Sequence, residues 1–84
     1  MARKELGQYV VVDSEICHGK PTFVGTRIMV WQVLEMVAEG VNWDHIVWEC
    51  HGSISKEAIA EAVLLASKAF AAHAQDALPT ASAA

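Results

Sequence analysis

The sequence predicts a mainly α domain, a three-helix bundle in helix-turn-helix order carried behind a short N-terminal β strand and a β hairpin. Three observations predict it. Tyr9 to Val12 is a β-branched and aromatic run closed by Asp13 and Ser14. "FVGTRI" places Gly25 between β-forming residues, as a tight turn requires. From Met29 onward the apolar residues fall three and four apart rather than two.

The strand comes first. Its apolar residues do not alternate with polar ones, so both of its faces are expected to be covered. In the hairpin, Gly25 and Thr26 fit the two central places of a type II′ turn, whose first central residue needs a positive φ and so favours glycine. Pro21 has no N–H for a ladder and is placed at the start or edge of that ribbon, with Gly19 as a further turn residue.

In the first helix Val30, Val33, Leu34, Val37 and Ala38 share one face, and Gln32, Glu35 and Glu39 the other, until Gly40 ends it. Asn42 can cap a second helix, where Trp43, Ile46, Val47 and Cys50 repeat the spacing as far as His51 and Gly52. Ser55 caps the third and longest, with Ile54 and Ile59 at the two positions of a hydrophobic staple. Ile59, Ala62, Val63, Ala66 and Phe70 are its predicted buried stripe, while Glu57, Glu61 and Lys68 point outward. Residues 1–8 are read as an N-terminal arm, 9–74 as the domain, and 75–84, small and broken by a proline, as a disordered tail.

With 84 residues there is room for one small core, yet 54% of the residues are hydrophobic and only 19% charged. So much apolar surface is hard to hide in a monomer, and a homodimer or higher homo-oligomer is the default expectation. Cys17 and Cys50 are too few for a secreted disulfide scaffold, and the N-terminus lacks the basic, apolar, small-residue order of a signal peptide. A reducing cytoplasm is the expected location. No apolar run reaches the roughly 18 residues that span a bilayer, so no membrane partner is expected.

The net charge of −4 argues against coating nucleic acid through bulk electrostatics. Its distribution says more. Arg3, Lys4, Lys20 and Arg27 outnumber Glu5, Asp13 and Glu15 by one in residues 1–27, which leaves −5 for residues 28–84. Any polyanion is expected to meet the N-terminal part.

Asp13, Ile16, Gly19, Lys20, Pro21, Gly25, Thr26, Arg27 and Ile28 occur in the order of a known pattern, followed by a short helix and a capped long one. Over about Tyr9 to Phe70 the chain resembles the domain of unknown function 433 family, small prokaryotic proteins often described as antitoxin-like. The resemblance implies a homeodomain-like helical fold with an N-terminal β arm, frequent dimerisation and a role beside nuclease toxins of the PIN-domain kind. It implies no enzyme activity. The chain departs from the pattern at Met29, where the family usually has proline, and at "ECHGSIS", Glu49 to Ser55, which replaces a tyrosine-proline and leucine-threonine turn.

A helix that reads bases presents Arg, Lys, Asn or Gln to their edges. The outward positions of the third helix are instead Lys56, Glu57, Glu61, Leu64, Leu65, Ser67 and Lys68, and two carboxylates one turn apart face phosphates unfavourably. The helix is therefore read as one that packs and dimerises. Candidate contacts to duplex DNA are Lys20, Thr26 and Arg27 on the ribbon, with Lys56. The plainer reading has Gly25 and Thr26 building the hairpin while Arg27 pairs with Asp13 or Glu15. Candidate partner or dimer contacts are Tyr9, Val11, Trp48, Leu64 and Leu65, of which Trp48, Leu64 and Leu65 lie off the stripes of their helices.

Three chemistries are set aside. "HGKPT" lacks the first glycine of a phosphate-binding loop, where Ser14 stands, and has Pro21 in the serine or threonine place. Cys17, His18, Cys50 and His51 make a two-cysteine, two-histidine inventory, but adjacent ligands strain a tetrahedral site, so no metal or other cofactor is expected. The four histidines are scattered with no paired nucleophile, which points to no catalysis and no small-molecule substrate. The expectation is an antitoxin-like protein that binds a partner protein and touches operator DNA; the alternative is an interaction module that binds no nucleic acid.

Overall fold

The β-branched run of the N-terminal segment forms the middle of a sheet. A computed structural model describes residues 2–77. Among them β1 (Arg3–Glu5), β2 (Val10–Asp13) and β3 (Thr22–Phe23) make an antiparallel sheet in that order, with β2 central. Val10 lies opposite Phe23 and joins the helical core, while Val11 lies opposite Thr22 on the other face. All four are buried, so both faces of β2 are covered, as its lack of alternation predicts. The turn at Cys17–Gly19 packs back on β2; its three residues have φ of 51°, 57° and 80°, all left-handed.

Two β features differ from expectation. The arm contains strand β1, paired Arg3 to Asp13, Lys4 to Val12 and Glu5 to Val11. Its three residues are charged and exposed, a composition that suits a sheet edge but leaves no pattern to read in sequence. The second turn is not type II′. Thr26 N–H donates to Phe23 O at 3.0 Å, so Val24 and Gly25 are its central residues, and Gly25, at φ 77°, takes the second central place where a type II turn needs a positive φ. The bridge between Thr22 and Met29 closes the ribbon beyond it.

Three helices follow: α1 (Val30–Ala38), α2 (Trp43–Glu49) and α3 (Lys56–Asp76). Local chemistry sets their ends. Asn42 Oδ1 accepts from Asp44 N–H at 2.7 Å and Ser55 Oγ from Ala58 N–H at 3.1 Å, each satisfying a donor that the first helical turn leaves free. α1 ends in a Schellman pair, Gly40 N–H to Val37 O and Val41 N–H to Met36 O, both 3.0 Å. α2 ends the same way, His51 N–H to Trp48 O and Gly52 N–H to Val47 O, but with His51 in the left-handed place at φ 56°.

The stripes meet beneath the sheet. Val33, Ile46 and Ile59 are fully buried, one from each helix, with Phe23 and Val10 above them. The staple residues Ile54 and Ile59 are both in this core, and burying one such side chain contributes about 1.5–3 kcal/mol.

α3 departs from its predicted faces at three positions. Phe70, assigned to the buried stripe, is 73% exposed, because α3 outruns the body and every residue from Ser67 to Ala77 is exposed. Leu65, placed off the stripe, is partly buried against the core. Glu61, assigned to solvent, turns back to the sheet: its two carboxylate oxygens accept from Gln8 N–H at 2.8 Å and Tyr9 N–H at 2.7 Å. The expected tail begins inside the helix, since residues 75 and 76 are helical; residues 78–84 lie outside the described residues.

Candidate functional site

The cation-bearing ribbon and the corner between α2 and α3 hold most of the polar chemistry. On the ribbon, the Thr26 hydroxyl donates to Phe23 O at 2.9 Å and accepts from Ile28 N–H at 3.0 Å, which ties the turn shut. That hydroxyl is spent on structure, and only the neighbouring cations remain to meet a phosphate. Pro21 lends its carbonyl to Val30 N–H at 3.0 Å, joining the ribbon to the start of α1. Gly19 donates its N–H to Ile16 O at 3.0 Å.

Arg27 is exposed and makes no ion pair among the described residues. Its expected partner Asp13 is used locally, accepting from Glu15 N–H at 2.9 Å. Arg27 is held by its backbone instead, where its carbonyl accepts from the Cys17 thiol at 3.5 Å. Lys20 is exposed at the end of the 17–19 turn, so the turn and the ribbon present Lys20 and Arg27 from one small β unit.

Lys56 is placed differently. Its Nζ lies 3.0 Å from Asp44 Oδ1, across the corner between the first turns of α2 and α3. The hydrogen bond to Asp44, and then that carboxylate's charge, hold the ammonium above its ordinary range. It is therefore already partnered, and the corner offers DNA a neutralised pair.

On the outer side of α2, Trp48 is 71% exposed and stacks on His45, ring centroids 5.4 Å apart. His45 Nε2 in turn lies 3.2 Å from Glu49 Oε2, one helical turn on. A broad concavity walled by Asp44, Trp48, Glu49 and His51 adjoins it. With Asp44 facing Lys56 and Glu49 facing His45, what the concavity chiefly exposes is the Trp48 ring.

The remaining interface candidates are dispersed. Leu64 is 54% exposed on the outer face of α3, and Tyr9 and Leu65 are half-buried against the core. Val11 is 1% exposed and has no surface to offer a partner. The pair Cys17–His18 lies in the 17–19 turn and the pair Cys50–His51 at the end of α2, and no group of three or more His, Cys, Asp or Glu that could hold a metal occurs among the described residues. None of the described helices is long and apolar enough to cross a membrane.

Sequence reasoning missed Glu61 as the clasp between α3 and the sheet, and no local signal could reveal a bond to residues 52 and 53 positions away. It also missed the His45–Glu49 pair, whose spacing of four was a readable signal.

A family model described as "Protein of unknown function (DUF433)" matches residues 10–66. The chain belongs to the DUF433 family. The match spans the central strand, the ribbon, α1, α2 and the packed half of α3, and stops where α3 leaves the body. No curated protein and no solved structure matches the chain. Within this DUF433 domain, Gly25, Thr26 and Ile28 of the recognised pattern serve the turn by backbone conformation and hydrogen bonds, while Lys20 and Arg27 leave their charges in solvent.

Proposed function

We propose that this DUF433 protein is a homo-oligomeric, antitoxin-like binding protein. Its acidic helical body engages a basic partner protein, a PIN-like nuclease toxin in the reading that family resemblance favours, and its ribbon touches duplex DNA. The arrangement of α1, α2 and α3 is read as homeodomain-like. The observation that carries the proposal is the separation of charge along the fold. Arg3, Lys4, Lys20 and Arg27 all belong to the sheet and its connections, whereas the helical part carries −5 and exposes Trp48 beside Glu49. A cationic protein and a polyanion would thus meet opposite parts of the chain.

The DNA arm of this reading rests on Lys20 and Arg27, because the Thr26 hydroxyl and the Lys56 ammonium have partners within the chain. Those two engaged groups favour a second reading, an interaction module that binds no nucleic acid. Retention on duplex DNA across a salt series separates the two. Under the first reading the full chain shows salt-dependent binding, and Arg27→Ala lowers the slope of log K against log salt by about one with the fold intact. Absence of salt-dependent retention rejects the DNA arm. A neighbouring reading frame that encodes a PIN-like nuclease, co-expressed with the chain, tests the protein arm: relief of its toxicity that Trp48→Ala abolishes supports it, and absence of such a frame or unrelieved toxicity rejects it.

A further inference from the structure

α3 has 21 residues, about 31 Å at 1.5 Å per residue, and among the described residues only its first half packs on the rest of the chain. Ile59 and Ala62 are buried, yet the stripe they begin does not stop with the body. Ala66, Ala69, Phe70 and His73 continue it at spacings of three and four. At the root of this free half lies an apolar groove of about 330 Å³, walled by Leu6, Trp31, Leu34, Leu65 and Ala66. Phe70 projects from α3 four residues beyond Ala66, about 6 Å along the axis. One surface therefore carries a knob beside a hole.

Charge narrows what covers it. Lys20 is the one charged residue in the lining of the groove, and from Leu64 to Gln75 the helix carries Lys68 alone. A basic partner finds no carboxylate there, and a nucleic acid finds apolar side chains between two lysines. On a chain of net charge −4, this is where two copies repel each other least.

Exposure agrees. Leu6, Trp31 and Phe70 are 39%, 46% and 73% exposed at or beside this groove, and an apolar, charge-poor centre of this kind is what a subunit contact buries.

We propose that a second copy of this chain covers this surface in a two-fold contact, each Phe70 entering the groove beside Trp31 and Leu34 of the other copy. The contact is isologous, so the same knob and hole are used twice and the assembly closes at two. It deepens the homo-oligomeric reading above and rests on it. It also leaves Trp48, Leu64 and Arg27, which lie outside the groove, to other partners, whereas Lys20 lines the groove and meets the second copy.

Sedimentation of the full chain tests the surface. The wild type is expected to be a dimer at micromolar concentration. Phe70→Glu is expected to weaken self-association roughly 30-fold or more, as a central anchor does, with an unchanged thermal melt of the monomer because Phe70 makes no core contact. Leu64→Glu, on the opposite side of α3, is expected to leave the dimer intact. A Phe70→Glu chain that remains as dimeric as the wild type overturns the surface and leaves the homo-oligomeric reading standing. A wild type that stays monomeric at tens of micromolar overturns both. As a second measurement, Trp31→Ala is expected to weaken the dimer as well, since Trp31 forms the wall that the ring would meet.

Discussion

Glu61 holds the sheet to α3, and its removal is the most demanding test of the packing described above. The carboxylate accepts from Gln8 N–H at 2.8 Å and Tyr9 N–H at 2.7 Å, and Gly7 lets it approach. A Cβ on Gly7 would stand 2.6 Å from Cδ and from Oε1 of Glu61. Hydrogen bonds to a charged group contribute about 1.5–3 kcal/mol each, but the exposed Gln8 N–H returns to water at little cost, so Glu61→Ala should lose about 2–3 kcal/mol, mostly at the half-buried Tyr9. In a domain this small that lowers Tm by roughly 10–20 °C. Gly7→Ala forces the carboxylate aside and breaks the same two bonds, so its cost alone should be similar, about 1–3 kcal/mol. In the Glu61→Ala background there is nothing left for the new Cβ to strike. Gly7 is not left-handed, and alanine there should cost less than about 0.5 kcal/mol or even stabilise by restricting the unfolded chain. Urea denaturation of the four chains of this double-mutant cycle, followed by circular dichroism, measures the coupling. Additive losses would refute the argument that Gly7 exists to admit Glu61.

Three further outcomes rest on backbone conformation and burial. His51→Gly, at φ 56° in the C-terminal motif of α2, should raise stability by about 0.5–1 kcal/mol by relieving a left-handed non-glycine residue, read as a higher urea midpoint at unchanged slope; an equal or lower midpoint would show that the His51 side chain contributes contacts that outweigh the strain. Burial, and then the charge of Glu49, push the Cys50 thiol above its ordinary value of 9.0. The folded chain thus holds that proton more tightly than the unfolded one, and the stability it contributes is complete below pH 9.0 and is lost as pH rises through the higher folded value. At neutral pH iodoacetamide should label the half-buried Cys17 well before the buried Cys50, as mass spectrometry of the peptides would show; equal rates would contradict the assignment.

The end of α1 and the starts of α2 and α3 were legible residue by residue. Asn42, Ser55, Gly40 and the Ile54–Ile59 staple act within one or two turns of the chain, so the information that places them is local, and the apolar spacing of α1 and α2 selects the faces that become core. The candidate site was legible in part, because exposure at Trp48 follows from its place off the α2 stripe, and the charge imbalance between the two parts of the chain is a property of composition.

What eluded the linear chain needed partners far away in it. Strand β1 is charged and exposed throughout, so only pairing with β2 reveals it. The turn at Gly25 is decided by which carbonyl Thr26 N–H finds, and both turn types would have accepted a glycine. Glu61 and Phe70 sit on one helix at ordinary spacing, yet the first faces the sheet and the second faces open solvent, because the stripe of α3 is longer than the body beneath it. Periodicity specifies which side of a helix is apolar; only the extent of the neighbouring elements decides how much of that side is covered.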